Sequence, residues 1–240
     1  MNLFTKLLVI VMLGFLSVSQ CEAQRSIGAA HKQGVVLSDV PQKIDTKALY
    51  LFYISGYIVA AGNIRPTSPK FGVYEYEKIL DAFKQSGFVV ISEARKQSEE
   101  LAPYATKVAK QVRQLLNAGV PPQNITVVGA SQGGWMTMLV STYLKNRDLK
   151  YVVVGACGAD DGFLDQVDLH GSVLIIIEKS DRFPSSFCQR YRNDATGLVD
   201  YKEVETNTGQ KHGFLYRPLK EWMAPAIAFA QTHSRVLVGF

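Results

Sequence analysis

Five short stretches of the chain are apolar at nearly every position: Leu49 to Ile54, Phe88 to Ile91, Ile125 to Val128, Tyr151 to Val154 and Val173 to Ile177. A strand with one wet face alternates apolar and polar residues, so unbroken runs of this length predict strands covered on both faces, as in a parallel sheet between helices. Between the runs the period lengthens. Val73, Tyr76, Ile79, Leu80 and Phe83 fall at helical spacing, as do Leu101, Ala105, Val108, Val112, Leu115 and Leu116, with Gly119 and Pro121 placed to stop the second helix. Strand and helix therefore alternate, which predicts an α/β domain with a mostly parallel central sheet and helices on both faces. The more polar stretch Asp200 to Thr206 suits a sheet edge, and Pro218 to Thr232 reads as a closing amphipathic helix. Ahead of the first strong strand, the segment Lys32 to Asp45 offers only Val35 to Leu37 as a weak strand candidate.

The beginning of the chain follows a different pattern. Lys6, an apolar stretch from Leu7 to Leu16 and a polar end closing on Cys21-Glu22-Ala23 have the layout of a secretory signal peptide, with cleavage expected after Ala23. The apolar stretch is too short to span a bilayer as a helix. Cys21 also invites a lipoprotein reading, but Gln20 stands where such signals place a small residue, so free export to a periplasmic or extracellular space is expected. Residues 24–240 then form one domain, with no repeats, long linkers or low-complexity tracts to mark a second.

Composition narrows the function classes. The chain has 240 residues, 47% hydrophobic and 20% charged, with a formal net charge of +5. Lys and Arg are scattered among Asp and Glu, and Arg190 and Arg192 are balanced by Asp194, which reads as a solvated surface and not as a nucleic-acid site. No H-E-x-x-H, Cys-x-x-Cys or P-loop pattern is present. After removal of Cys21, Cys157 and Cys188 would meet an oxidising compartment either as a disulfide or as two buried thiols.

The candidate chemistry lies at Gly129-Ala130-Ser131-Gln132-Gly133, a G-x-S-x-G motif between the Ile125 strand and a segment with an apolar face made by Trp135, Met136, Met138 and Leu139. In that strand-turn-helix context the motif is a nucleophile elbow, which exposes a serine hydroxyl at the strand's end. A serine needs a base, and the base needs an acid to orient it. Of four histidines, His31 lies in the entry segment, His170 precedes a buried strand and His233 falls in the last helix. His212, in the glycine-flanked Gly209 to Phe214 loop after the edge strand, is best placed. Asp181 lies on the loop just past the Val173 strand and completes the chain order Ser, Asp, His. Asp160, Asp161 and Asp165, after the preceding strand, are its competitors. Gln132 N–H is the expected first oxyanion donor, and Ser55-Gly56-Tyr57 should supply the second, with Tyr57 N–H as the candidate.

With elbow, acid and histidine in this order, the chain from about Ala48 to Thr232 resembles a small bacterial member of the α/β-hydrolase family. That resemblance implies cleavage of an ester, thioester or amide through an acyl-enzyme, without a metal or organic cofactor. Relatives often carry His-Gly at the oxyanion loop, where Ser55-Gly56 stands here. The short connection between Val154 and Val173 leaves no room for a large cap domain, which favours a short-chain or polymer-linked acyl substrate in an open site. Phe183, Phe187 and Phe214 flank the proposed acid and base as pocket or core residues. Two other readings compete. A dinucleotide loop would need a glycine at Ser131 and a position after the first strand, and a catalytically inactive binding protein could keep the same fold.

Overall fold

The computed structural model describes residues 34–60, 62–96, 98–158, 161–182 and 186–232; the expected leader, His31, Asp160, Phe183 and His233 lie outside the described residues. The chain runs through β1 (Val35–Leu37), β2 (Leu49–Ile54), β3 (Thr67–Ser68), β4 (Gly72–Val73), α1 (Tyr76–Gln85), β5 (Phe88–Ile91) and α2 (Leu101–Asn117). It continues through β6 (Ile125–Ala130), α3 (Gln132–Leu144), β7 (Lys150–Val154), α4 (Asp161–Leu164), β8 (His170–Glu178), α5 (Ser186–Asn193), β9 (Gly197–Thr206) and α6 (Lys220–Gln231). A 3-10 segment, Lys211–Tyr216, carries His212.

Seven strands form one sheet in the order β1-β5-β2-β6-β7-β8-β9. Every neighbouring pair is parallel. The five apolar runs are its interior strands, and the polar Asp200 stretch belongs to β9 at one edge, as its composition predicts. The weak Val35 candidate is the opposite edge, paired with β5. Apolar runs suffice for the interior because alternate residues serve opposite layers. Tyr50, Phe52 and Ile54 pack with α2 and α3, whereas Leu51 and Tyr53 pack with α1 and α6. The same alternation divides Val173, Ile175 and Ile177 from Leu174 and Ile176.

The order of strands also locates a crevice. From β2 the chain winds outward to β5, then returns across β2 to β6 and winds the other way. Loops at the carboxyl ends of β2 and β6 therefore diverge, and such a switch point is where open α/β sheets bind ligands. Ser55 follows β2 there, and Ser131 follows β6.

Two tertiary links brace the sheet. Cys157, just past β7, forms a disulfide with Cys188 in α5, Cα–Cα 4.9 Å, closing a loop of 31 residues that contains β8. A loop of that length restricts the unfolded chain enough to stabilise by about 3.5 kcal/mol. On the other side, the buried Lys150 ammonium donates to the Ala230 carbonyl and to the Thr232 carbonyl at 2.9 Å, capping the end of α6. Burial pushes its pKa down to about 8.

Candidate active site

Ser131 sits between the end of β6 and the first residue of α3 with φ 54° and ψ −123°. That left-handed φ is unusual for a residue with a side chain and needs its surroundings to hold it. The N–H of Ser131 donates to the Val154 carbonyl at 2.8 Å, and its own carbonyl accepts from Gly134 N–H at 2.8 Å, so strand and helix pin the turn from both sides. The flanking glycines contribute space. A Cβ on Gly129 would meet the Gly133 carbonyl oxygen at 2.1 Å, and one on Gly133 would meet the Ile54 carbonyl oxygen at 2.0 Å. The glycines let β6, α3 and β2 approach one another, and the backbone strain falls on the serine.

Three residues far apart in sequence join here in one hydrogen-bonded chain. Ser131 Oγ lies 2.9 Å from His212 Nε2, and His212 Nδ1 lies 2.6 Å from Asp181 Oδ2. A carboxylate can only accept, so Nδ1 carries the proton and Nε2 presents a lone pair to the serine hydroxyl. The Asp181 side chain is 5% exposed and that of His212 is 24% exposed. The other Asp181 oxygen accepts from Arg182 N–H at 2.8 Å.

The other candidates lie elsewhere. His170 opens β8 at the opposite end of the sheet, with Nδ1 2.9 Å from the Asp168 carbonyl. Asp165 is exposed and pairs with Arg190 at 3.6 Å. Asp161 begins α4. Phe214 is fully buried in the core beside Gly155, so it does not line the site. The side chain of Phe187, like Phe183, is outside the described residues.

Sequence reading missed Glu178, the last residue of β8. It is 2% exposed, and its carboxylate gathers the loops that carry Asp181 and His212. Ser180 Oγ donates to it at 2.7 Å, Thr206 Oγ1 at 2.6 Å, Thr208 N–H at 2.9 Å and Gly209 N–H at 3.2 Å. Ser180 Oγ in turn accepts from Lys211 N–H at 2.9 Å. Burial alone would raise the Glu178 pKa, but the donors led by Thr206, Thr208 and Ser180 outweigh it and hold the pKa at about 2. An apolar run ending in Glu was visible in the sequence; the convergence of donors from β9 was not.

On the opposite side, Gln132 is the first residue of α3, so its N–H belongs to the donors a helix leaves unsatisfied at its start. Gly56 packs against the serine: a Cβ there would lie 3.4 Å from Ser131 Cβ. Val59 N–H donates to the Gly56 carbonyl at 3.2 Å, making a turn in which Tyr57 is a central residue whose N–H the turn does not use.

Arg95, on the loop after β5, lies beneath both segments and is 4% exposed. One guanidinium nitrogen donates to the Ser55 carbonyl at 2.8 Å and another to Gln132 Oε1 at 2.6 Å, while the group sits 5.7 Å from the Tyr104 ring centre. Burial lowers its pKa, opposed by Tyr104 and Glu99. Sequence reading missed this residue also, because nothing local marks an arginine as buried. Ser55 is 1% exposed and its hydroxyl has no partner among the described residues.

No family model and no curated protein matches the sequence. Solved structures do match in shape. A protein from Klebsiella pneumoniae described as a dienelactone hydrolase superposes with a TM-score of 0.55 at 14% identity, over 80% of this chain and 90% of that one. Est1E from Butyrivibrio proteoclasticus, with ferulic acid bound, gives 0.53 at 14% identity over 79% and 90%. A monoacylglycerol lipase from Paleococcus ferrophilus gives 0.53 at 10% identity over 75% and 93%. At these identities the likeness is one of fold, and together with the seven parallel strands and their flanking helices it establishes that this chain has the α/β-hydrolase fold.

Proposed function

We propose that this chain is an exported serine esterase in which Ser131 is the nucleophile, His212 the general base and Asp181 the residue that orients and balances the histidine. The observation that carries this reading is the continuous chain of hydrogen bonds from Asp181 Oδ2 through His212 to Ser131 Oγ, at 2.6 and 2.9 Å. His212 Nε2 takes the hydroxyl proton as Oγ attacks the ester carbonyl, and the buried Asp181 stabilises the resulting imidazolium. The oxyanion meets Gln132 N–H and Tyr57 N–H, at the end of a helix whose dipole favours negative charge. His212 then protonates the departing alcohol, and water attacks the acyl-Ser131 ester by the same route in reverse. Arg95 keeps the two donor segments in register through the Ser55 carbonyl and the Gln132 side chain.

The hydrolase names of the structural neighbours support ester cleavage, and the Cys157–Cys188 bridge suits export to an oxidising compartment. Between β7 and β8 the described residues build only the four-residue α4, too little for a cap, so a short-chain or polymer-linked acyl ester fits better than a long lipid. A fluorophosphonate probe should label Ser131 in the folded protein. Ser131→Ala and His212→Ala should each lower kcat for p-nitrophenyl acetate by roughly a thousandfold or more with the fold intact. An unlabelled, inactive wild-type protein would instead favour a binding protein that keeps the fold without the chemistry.

A further inference from the structure

Beside His212 the surface opens into a hollow of about 420 Å³. Phe71 lines it, half-buried and held in place: its ring lies 5.4 Å from that of Tyr216, and a Cβ on Gly213 would come within 2.8 Å of it. Around it stand Lys70, Arg182 and Lys211, while the one acid among the lining residues, Asp181, is committed to His212. A second hollow of about 360 Å³ shares Lys70, Phe71 and Lys211 and adds Arg217. The two form a groove that runs past the histidine with cations along its length.

Neither cation shared by the two hollows sits on a free loop. Lys70 lies in the turn between β3 and β4, where its backbone N–H and that of Phe71 donate to Ser68 Oγ at 3.2 and 3.3 Å. Lys211 precedes His212 in a left-handed conformation, φ 53°, with its N–H bonded to Ser180 Oγ. Neither ammonium has a carboxylate partner among the described residues. A basic composition that looks like a dispersed solvated surface thus places two ammonium groups without a carboxylate partner, on backbone held by hydrogen bonds, at the histidine end of the site.

Resting on the esterase reading, we infer that the substrate is an ester whose alcohol portion carries carboxylate groups, bound along this groove. The side follows from the chemistry. The oxyanion donors lie across Ser131 toward β2 and α3, and His212 must reach the leaving oxygen to protonate it, so the alcohol extends over the histidine toward Lys211 and Lys70. Clefts lined by one sign of charge concentrate and orient ligands of the other sign, an effect that salt screens.

The test compares 4-carboxyphenyl acetate with its neutral isostere 4-carbamoylphenyl acetate on the full exported chain. At low ionic strength kcat/KM should favour the carboxylate by about tenfold. The ratio should fall toward one in roughly 0.5 M NaCl. It should also fall toward one in the Lys70→Gln/Lys211→Asn double variant, Asn being tolerant of the left-handed backbone, and persist in Lys110→Gln on the outer face of α2. Reading a ratio cancels any general loss of activity from the substitutions. A wild-type ratio near one, or a preference that survives the double variant, overturns the inference while leaving the esterase reading standing. Failure to turn over either ester, with Ser131 unlabelled, overturns both.

Discussion

The two sides of Ser131 are held in place by opposite charges. On the histidine side, a buried anion, Glu178, collects hydroxyl and backbone donors from the turn after β8, from the end of β9 and from the loop after it, so charge-assisted hydrogen bonds tie the Asp181 turn to the His212 segment. On the other side, which we propose holds the oxyanion, a buried cation, Arg95, bridges a carbonyl after β2 and a side chain at the start of α3. The anion is saturated with donors. The cation side is leaner, and leaves the Ser55 hydroxyl without a partner among the described residues. A buried ion organises a site only to the extent that its surroundings supply complementary dipoles, and the two ions meet that condition to different degrees.

The comparison breaks most visibly at Glu178. Glu178→Gln keeps the shape but sets an amide N–H₂ against N–H and O–H donors, and should destabilise the protein by about 3 kcal/mol at neutral pH. The sign with pH is definite. The folded pKa of about 2 lies below the ordinary value of 4.5, so the wild-type advantage is complete above pH 4.5 and disappears as pH falls from 4.5 toward 2. Denaturant melts of both proteins across that range would check it, and a difference independent of pH would contradict the role of the carboxylate charge.

Next in size is Arg95→Met, which fills similar volume without the fork of donors. It should lower kcat for p-nitrophenyl acetate by about 100-fold while KM changes little, because the loss falls on oxyanion stabilisation. Arg95→Lys should recover only part, since an ammonium lacks the planar fork that spans both acceptors. A rise in KM at constant kcat would instead make Arg95 a substrate-binding residue. The smallest effect belongs to Ser55→Ala. Removing a buried hydroxyl without a partner should leave stability within about 1 kcal/mol of wild type, with any change in the stabilising direction, measurable by thermal melts.

Much of the architecture was legible in the chain. The strands predicted at Leu49 to Ile54 and Phe88 to Ile91 are those found, and the break at Gly119 and Pro121 falls where α2 ends. These features are local: a run of apolar residues or a helix stop carries its meaning in a few neighbouring positions. Val35 to Leu37 was harder, because three residues at an edge need only one covered face. Phe214 was ambiguous for the reverse reason, since an aromatic beside a histidine can serve either pocket or core, and packing against Gly155 decides for the core.

The site divides along the same line. The pentapeptide marks Ser131 and chain order points to Asp181 and His212, and the structure brings these three into one hydrogen-bonded chain. Glu178 and Arg95 had no such signal. Their roles exist only because β8 pairs with β9, and because β2 lies between β5 and β6. The sequence by itself determined which segments are strands and helices and which serine stands at a strand-to-helix turn, since both depend on short-range sterics and periodic burial. The tertiary structure decided which loops meet. Strand order brings Ser55, Arg95 and Gln132 within hydrogen-bonding distance, while the β3-β4 hairpin, outside the main sheet, sets Lys70 beside Lys211 and His212.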